Sequence, residues 1–165
     1  MTGLPDPAVA VPAWRAGAAS ERMVPEETAV ALTYNRTTHA VMMATPADLE
    51  DFAVGFSRAE GIIAAPSDIE ELDVVPAELG VELRMWIAPD RMVALERRKR
   101  LSAGPTGCGL CGMDSLADAM RTPPCVGAGP TLTPAQVLAA VASLEPAQTL
   151  NHTTRAVHAL SLIHI

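Results

Sequence analysis

The sequence TAVALTYNRTTHAVMM (Thr28–Met43) decides the fold of this 165-residue chain. It holds two apolar runs that favour β-strands, separated by polar residues that are typical of a turn. This pattern predicts a β-hairpin with strands over Thr28–Tyr34 and His39–Met43 and a turn over Asn35–Thr38. His39 would begin the second strand, and we interpret it as structural or solvent-facing rather than as a ligand.

The segment after the hairpin predicts an amphipathic helix. Thr45 can cap its N-terminus, Pro46 suits its first position, and Asp48 stands where a capping box places a carboxylate. Gly61 would end the helix. The apolar residues recur at helical spacing, at Leu49, Phe52, Phe56 and Ala59. This spacing favours a helix that packs into a core over one that binds a cofactor.

Two further strands are predicted, over Ile69–Val75 and Val81–Ile87. In the second, apolar and polar side chains alternate, as in a strand with one buried face. A short helix should follow from Pro89 to about Arg98. The predicted fold class is therefore α/β, with a mixed α+β N-terminal subdomain over residues 25–101. Residues 1–24 are rich in Pro and Ala and show no period, so we expect a disordered or loosely docked arm.

The C-terminal part predicts two more helices. One begins at Asp114 and runs to about Met120. The other begins at the capping signal Thr133–Gln136 and ends at Pro146, with an inner stripe formed by Val137, Val141 and Leu144. Cys125 lies in the Gly/Pro-rich connection between the two helices, where we expect a buried, inert thiol.

Composition narrows the class of protein. Hydrophobic residues make up 49% of the chain and charged residues 19%, which is enough for a packed core. The formal net charge of −7 disfavours a nucleic-acid-binding protein, since such proteins are usually basic. We see neither a signal peptide nor an apolar run of membrane-spanning length. We therefore predict a cytoplasmic protein with reduced thiols, whose partners include neither nucleic acid nor membrane.

Residues 102–112 form a glycine-rich loop that carries Cys108 and Cys111 in C-x-x-C spacing. Glycine lacks a Cβ, so such a loop can curl tightly and point both sulfurs to one side. Three kinds of site fit these residues. One is structural zinc in a non-catalytic binding module, with Cys125 and either His152 or His158 as further ligands. The second is a dithiol redox site. The third is a persulfide carrier, in which a cysteine of low pKa accepts sulfur and passes it on.

Two features of the sequence would lower the pKa of these cysteines. Six of the 12 basic residues fall just before the loop, four of them in the run Arg97–Arg100. The N-terminus of the helix that starts at Asp114 would add partial positive charge near Cys111. The basic run has a second interpretation, as the cationic C-terminal end of the helix from Pro89.

Four motifs follow one another along the chain, at Val24–Thr28, His39–Phe56, Glu60–Ile63 and Gly107–Gly112. Together, and in this order, they closely resemble the FdhD family, the formate dehydrogenase accessory sulfurtransferases. The resemblance spans roughly residues 24 to 150. The combination is specific, although the C-x-x-C spacing alone would not be.

The resemblance implies a function. Members of this family take sulfur from a cysteine desulfurase as a cysteine persulfide. They deliver it to the molybdenum of a bis-pyranopterin guanine dinucleotide cofactor, which formate dehydrogenase needs in its sulfurated form. Carried over by motif, Cys108 would bear the persulfide and Cys111 would be the accessory thiol. The resemblance further implies a cytidine-deaminase-like α/β domain that begins within residues 113–165, and it leaves a homodimer open.

The resemblance fades at the C-terminus. The family carries a T-G-G-x-H-A-A-like phrase where this chain reads Thr154–Ala159, and Ser161–Ile165 does not resemble the family. We therefore expect a truncated chain with an incomplete deaminase-like domain and foreign residues at its end. The residues that bind the cofactor would lie in the absent part, so none is assigned here. The helix from Thr133 would then keep a bare apolar face.

Overall fold

The computed structural model describes residues 3–92, 95, 125 and 127–157. The chain divides into two compact units, one formed by Met1–Pro5 and Glu27–Thr122, the other by Asp6–Glu26 and Pro123–Ile165. The elements are, in chain order, β1 (Ala8–Arg15), β2 (Ala18–Pro25), β3 (Thr28–Tyr34), β4 (Thr37–Ala44), α1 (Leu49–Ala59), a 3-10 turn (Pro66–Asp68), β5 (Ile69–Ala77), β6 (Gly80–Ile87), α2 (Pro134–Ala147) and α3 (Thr149–Thr154).

The first unit is built on a four-stranded sheet in the order β4-β3-β6-β5. The pairs β3–β4 and β5–β6 are antiparallel hairpins, and the central pair β3–β6 is parallel. The predicted strands are confirmed, but β4, β5 and β6 are each longer than expected. Strand β4 begins at Thr37 and not at His39, so the turn of the first hairpin is Asn35–Arg36 and not Asn35–Thr38. The predicted alternation in β6 is also confirmed, because Val81, Leu83, Met85 and Ile87 are all buried in the core. The predicted mixed α/β class is therefore correct.

Helix α1 covers the inner face of this sheet. It begins at Leu49 with Asp48 at the N-cap, and not at Pro46 with Thr45 at the N-cap as predicted. The residues before it form a tight turn in which the Ala47 N–H donates to the Thr45 carbonyl at 2.8 Å. Asp48 adopts a left-handed conformation with φ 51° and makes no capping hydrogen bond through its side chain. The buried stripe is Leu49, Ala53 and Ser57, while Phe52 and Phe56 pack beside it. The predicted core helix is therefore present, but its buried face is centred on Ala53 and Ser57 and not on Phe52 and Phe56.

The predicted stop of α1 at Gly61 is confirmed. Gly61 has φ 63°, and its N–H donates to the Arg58 carbonyl at 2.9 Å. The next N–H, of Ile62, donates to the Ser57 carbonyl at 2.8 Å. This pair of bonds is a Schellman cap, which needs a residue that tolerates positive φ after the helix. The buried Ile62 side chain then anchors the chain as it leaves the helix.

A polar network lies inside the core, between α1 and the sheet. The Ser57 hydroxyl donates to the Ala53 carbonyl at 2.6 Å, which leaves the Tyr34 hydroxyl to donate to Ser57 Oγ at 2.7 Å. Burial raises the pKa of Tyr34 to about 12. Tyr34 therefore stays neutral and both hydroxyls are hydrogen-bonded, as buried polar groups must be. His39 packs edge-on against Tyr34 and Phe56, in agreement with the structural role predicted for it.

The Asn35 side chain extends the central parallel pair beyond the end of β3. Its amide donates to the Ile87 carbonyl at 2.8 Å, and its oxygen accepts from the Ile87 N–H at 2.9 Å. Asn35 has φ 45°, a left-handed conformation that asparagine adopts more readily than most residues. The side chain thus satisfies both backbone groups of the last residue of β6.

Replacing Asn35 by Ala should cost about 2 kcal/mol of unfolding free energy, because two backbone groups lose their partners. Asn35→Gly is the matched control, since glycine removes the same amide but tolerates positive φ. Both variants should unfold at lower urea concentration than the wild type. Wild-type stability in Asn35→Gly would show that the amide contributes nothing.

The second unit begins with a hairpin, so the predicted disordered or loosely docked arm over residues 1–24 is wrong. Strands β1 and β2 pair antiparallel from Ala8↔Pro25 to Arg15↔Ala18. Ala16 and Gly17 both have positive φ, as a two-residue type I′ turn requires. Alanine favours strands only weakly, and Pro12 cannot donate a backbone hydrogen bond to a neighbouring strand. For these two reasons the sequence pattern did not predict β1 and β2. Helix α3 packs against both strands.

The capping box predicted at the N-terminus of helix α2 is confirmed. The Gln136 N–H donates to the Thr133 hydroxyl, and the Gln136 side chain accepts from the Thr133 N–H at 2.9 Å. Pro146 lies inside the last turn, one residue before the helix ends. No residue of α2 is buried, and Val137 and Val141 are 43% and 44% exposed. Two of the three residues expected to face inward, Val137 and Val141, are therefore open to solvent, whereas Leu144 is partly buried.

Candidate functional site

The predicted sulfur site lies outside the described residues. This applies to Cys108 and Cys111, to the basic run Arg97–Arg100, to the helix predicted from Asp114, and to His158. The structure instead describes the two segments that flank the cysteine loop. The upstream flank ends at Leu95, and the downstream flank begins at Cys125.

The upstream flank joins the cysteine loop to the central part of the sheet. After β6, residues 89–92 and 95 are helical, which agrees with the predicted helix start at Pro89. The Arg91 N–H donates to the Ala88 carbonyl at 3.0 Å in its first turn. Leu95 is fully buried and belongs to the same core cluster as the sheet residues. The chain is therefore anchored to the core thirteen positions before Cys108.

Asp68 holds this flank by a second contact. Its Oδ2 accepts from the backbone N–H groups of Ala64 and Ala65 at 2.7 and 3.2 Å, and it lies 3.2 Å from Nη2 of Arg91. The backbone hydrogen bond from Ala64, then that from Ala65, and then the charge of Arg91 lower the pKa of Asp68. One carboxylate thus ties the 3-10 turn to the helical segment that leads into the cysteine loop.

Asp68→Asn should flatten the dependence of folding stability on acidic pH. Since the pKa of Asp68 is lower in the folded than in the unfolded chain, its carboxylate stabilises the fold above the unfolded pKa. This contribution is lost as the pH falls through the folded pKa. The melting temperature of Asp68→Asn should therefore be below that of the wild type at neutral pH, and the two should converge at low pH.

Arg91→Met is the companion variant for this measurement. It removes the ion pair but keeps both backbone hydrogen bonds, which are the larger causes of the shift. It should therefore retain most of the acid dependence. Melting curves of Asp68→Asn that stay parallel to the wild type across the whole pH range would contradict the role assigned to Asp68.

Two of the six basic residues that precede the cysteine loop are already paired. Arg91 contacts Asp68, and Arg84 lies 2.8 Å from Glu82 on the outer face of the sheet, the face that α1 does not cover. The hydrogen bond from Arg84 is the main cause that lowers the pKa of Glu82. The positive charge of these two arginines is therefore offset by neighbouring carboxylates.

The outer face also holds a pocket of about 420 Å³ that our sequence reasoning missed. Within it the Arg36 guanidinium stacks on the Trp86 ring, 5.4 Å from the ring centroid. The signal was present in the outward positions of β6, where Glu82, Arg84 and Trp86 alternate with the core residues. The pocket is also lined by Thr33 of β3, Asp73 of β5 and Met85 of β6.

The downstream flank corrects one prediction. Cys125 is exposed, so the expectation of a buried, inert thiol is wrong. Residues 127–133, which follow it, have no regular secondary structure and are also exposed. Nε2 of His152, one of the suggested zinc ligands, lies 2.9 Å from the Glu145 carbonyl oxygen and 3.4 Å from its carboxylate. Among the described residues no cluster of three or more His, Cys, Asp or Glu side chains could hold a metal ion.

The chain belongs to the FdhD/NarQ family, whose model matches residues 25–164. The matched region includes β3 to β6, both flanks and the whole C-x-x-C segment. It extends beyond residue 150, where the resemblance recognised in the sequence ends, and it includes residues 161–164, which we expected to be foreign to the family. In the part of the chain that the structure describes, no helix is long and apolar enough to cross a membrane.

Several curated relatives are called sulfur carrier protein FdhD. The relative from Agrobacterium fabrum is 49% identical over 142 residues, which cover 86% of this chain and 52% of the relative. The relative from Brucella abortus is 50% identical over 140 residues, covering 84% and 52%. The relative from Cupriavidus necator is 44% identical over 152 residues, covering 91% and 53%. The chain therefore spans about half the length of the curated relatives it matches.

A solved structure is also similar to part of the chain. It is a crystal structure of a protein from Desulfotalea psychrophila, described as a formate dehydrogenase accessory protein. The two share 25% identity and a TM-score of 0.37, over 53% of this chain and 38% of that one.

Proposed function

We propose that this chain is a sulfurtransferase of the cytoplasm that carries sulfur as a persulfide on Cys108. A cysteine desulfurase supplies the sulfur, and the acceptor is the molybdenum of a bis-pyranopterin guanine dinucleotide cofactor destined for formate dehydrogenase. The observation that carries the proposal is the family match over residues 25–164, because it includes the Gly-Cys-Gly-Leu-Cys-Gly segment. The name of the relatives, sulfur carrier protein, supports the same chemistry.

In the accepting step, the Cys108 thiolate attacks the terminal sulfur of a persulfide on the desulfurase. A new S–S bond forms on Cys108 while the S–S bond of the donor breaks, and the donor cysteine leaves as a thiolate. The exchange conserves electrons and needs no external oxidant or reductant. In the delivering step, the Cys111 thiolate attacks the inner sulfur of the persulfide, so that a Cys108–Cys111 disulfide forms while the S–S bond to the terminal sulfur breaks. The terminal sulfur leaves as hydrosulfide for the molybdenum site, and a dithiol reductant then returns both cysteines to thiols.

Electrostatics in the sequence favour a thiolate in the cysteine loop, and the family motif assigns the acceptor role to Cys108. The thiolate is the reactive form, and nearby cationic groups lower a thiol pKa. Arg84 and Arg91 are engaged with carboxylates, so this role falls to the basic run Arg97–Arg100. Leu95 and the Asp68–Arg91 contact support the proposal by fixing the start of this basic segment to the core.

Cys108→Ala should abolish sulfur acceptance. The wild-type chain, incubated with a cysteine desulfurase and cysteine, should gain one sulfur atom that a thiol reductant removes. Intact mass spectrometry gives the added mass, and peptide mapping should place it on Cys108. The matched control is Cys125→Ala, which removes an exposed thiol outside the C-x-x-C motif and should load sulfur like the wild type.

This experiment measures the acceptance of sulfur and not its delivery to the cofactor. The two steps are kept apart because the chain spans about half the length of its relatives. Full sulfur loading in Cys108→Ala would overturn the assignment of the acceptor. Bound zinc in the native mass spectrum of the wild type, without added sulfur, would favour the zinc-stabilised binding module instead.

A further inference from the structure

The outer face of the four-stranded sheet has a floor of small side chains at one end. Ala29 and Ala31 point to this face, since they alternate with the buried core residues of β3. Together with Gly80 they line a second pocket of about 390 Å³, which Val41 and Leu79 border. These two side chains are 62% and 90% exposed. An apolar depression of this kind is suited to contact with another apolar surface.

This apolar depression continues into the charged pocket around Trp86. Glu82 lines both pockets, and the two pockets follow one another along β6. The strand from Gly80 to Trp86 is about 20 Å long, at roughly 3.3 Å per residue. We call this continuous depression the outer groove, with its apolar end at Gly80 and its charged end at Trp86. Its length matches a helix of about 13 residues, at about 1.5 Å per residue.

The charged end is built around an arginine in an uncommon backbone conformation. Asn35 and Arg36 form the two-residue turn between β3 and β4, and Arg36 has φ 69°. Glycine is preferred at this position of such a turn, because positive φ strains a residue that has a Cβ. A strained residue of this kind points to a role for its side chain. The Arg36 guanidinium stacks on Trp86, and a stacked guanidinium keeps its N–H groups for a planar acceptor such as a carboxylate.

The other charges of this end indicate which anion it would accept. Arg84 is paired with Glu82 at 2.8 Å, whereas no ion pair joins Arg36 to a carboxylate of the described residues. Asp73 and Glu82 also line this end, and both repel a free anion of high charge such as phosphate. A single carboxylate on a larger apolar partner is repelled less, and its partner gains contacts along the rest of the groove.

We propose that the outer groove binds an amphipathic helix of a partner protein, whose apolar stripe ends in a glutamate or an aspartate. The stripe covers Val41 and Leu79, and the carboxylate pairs with the guanidinium of Arg36. A helix suits this place because helices and sheets bury their apolar faces against each other, whereas an extended peptide binds at the edge of a sheet. This binding goes beyond the proposed sulfur transfer and does not depend on it.

The test uses a displayed library of helical peptides of about 13 residues, selected on the immobilised full chain. The wild type should enrich peptides in which an apolar stripe ends in Glu or Asp. Synthetic copies should bind in fluorescence anisotropy, and Arg36→Gly should weaken this binding by about tenfold or more, as expected for one lost charge-assisted pair. Arg36→Gly should remain folded, since glycine suits the positive φ of the turn.

Arg58→Ala is the matched control, because Arg58 is an exposed arginine on α1, at the other side of the sheet. It should bind the peptides like the wild type, whereas Val41→Ser should weaken binding from the apolar end. Replacing the acidic residue of the peptide by its amide should weaken binding to the wild type but not further to Arg36→Gly, because the pair is already lost there.

Four results would overturn the proposal. They are a selection that enriches no such peptide, equal peptide binding by Arg36→Gly and the wild type, binding of inorganic phosphate in place of the peptides, and a change of oligomeric mass in Arg36→Gly. The last two would identify a small anion or a second copy of the chain as the occupant. None of these results affects the test of sulfur acceptance with Cys108→Ala, which measures a different site.

Discussion

Gly80→Ala is expected to destabilise the first unit by roughly 3 kcal/mol or more, the range of severe single substitutions. Gly80 starts β6 with φ 152°, a conformation that side-chain-bearing residues rarely adopt. A Cβ built there would overlap the Ala29 carbonyl oxygen and lie 3.0 Å from the carbonyl carbon. Ala29 lies in β3, which is paired on both sides, so its backbone cannot move aside without breaking the sheet.

Gly55→Ala is the matched control for this prediction. Gly55 lies inside α1, where an added Cβ meets nothing within 4 Å. Alanine has the higher helix propensity, so this variant should gain about 0.5–1 kcal/mol. Guanidinium unfolding followed by far-UV circular dichroism measures both. Equal stability of Gly80→Ala and the wild type would mean that β6 and β3 do not approach as closely as described.

Leu83→Ala should cost about 2–5 kcal/mol of unfolding free energy, the usual range for a buried leucine. Leu83 is fully buried at the centre of β6, opposite Leu32 of β3 and Val74 of β5. Truncation would leave a cavity between the sheet and α1, and packed neighbours can fill it only in part.

The control for Leu83 is the same substitution at Leu79, which is 90% exposed. Leu79→Ala removes the same atoms from a site in solvent, so stability should change by at most about 0.5 kcal/mol. Urea midpoints of the two variants, at unchanged m-values, give the comparison. Similar losses at both positions would contradict the burial of Leu83.

Local patterns predicted most elements of the first unit. The alternation in Val81–Ile87 and the stop at Gly61 depend on neighbouring residues only, so the sequence displays them directly. The helix start was predicted at Pro46 and lies at Leu49, because the turn before α1 uses a left-handed Asp48, which the capping signals do not show. The hairpin of β1 and β2 was missed because Val9, Val11 and Trp14 alternate with alanines and Pro12, which favour strands weakly. The two strands pair with each other and pack against α3.

The candidate site could be predicted only in its chemistry. The C-x-x-C spacing, its glycines and the family motifs are properties of the chain order, and they identify the family and the proposed acceptor Cys108. The roles of Cys108 and Cys111 stay predictions, since both cysteines lie outside the described residues. The flanks needed the structure, because Asp68 meets Arg91 across twenty-two intervening positions.

The sequence by itself determined which segments form helices or strands in the first unit, the acidic net charge, the C-x-x-C motif and the resemblance to the family. Each of these follows from residue type and short-range spacing. Only the tertiary structure decided that β3 and β6 pair in parallel, that Arg84 and Arg91 form ion pairs with Glu82 and Asp68, and that Cys125 is exposed. The physical reason is that pairing and burial depend on which distant segments meet in the fold, whereas periodicity and caps are encoded locally.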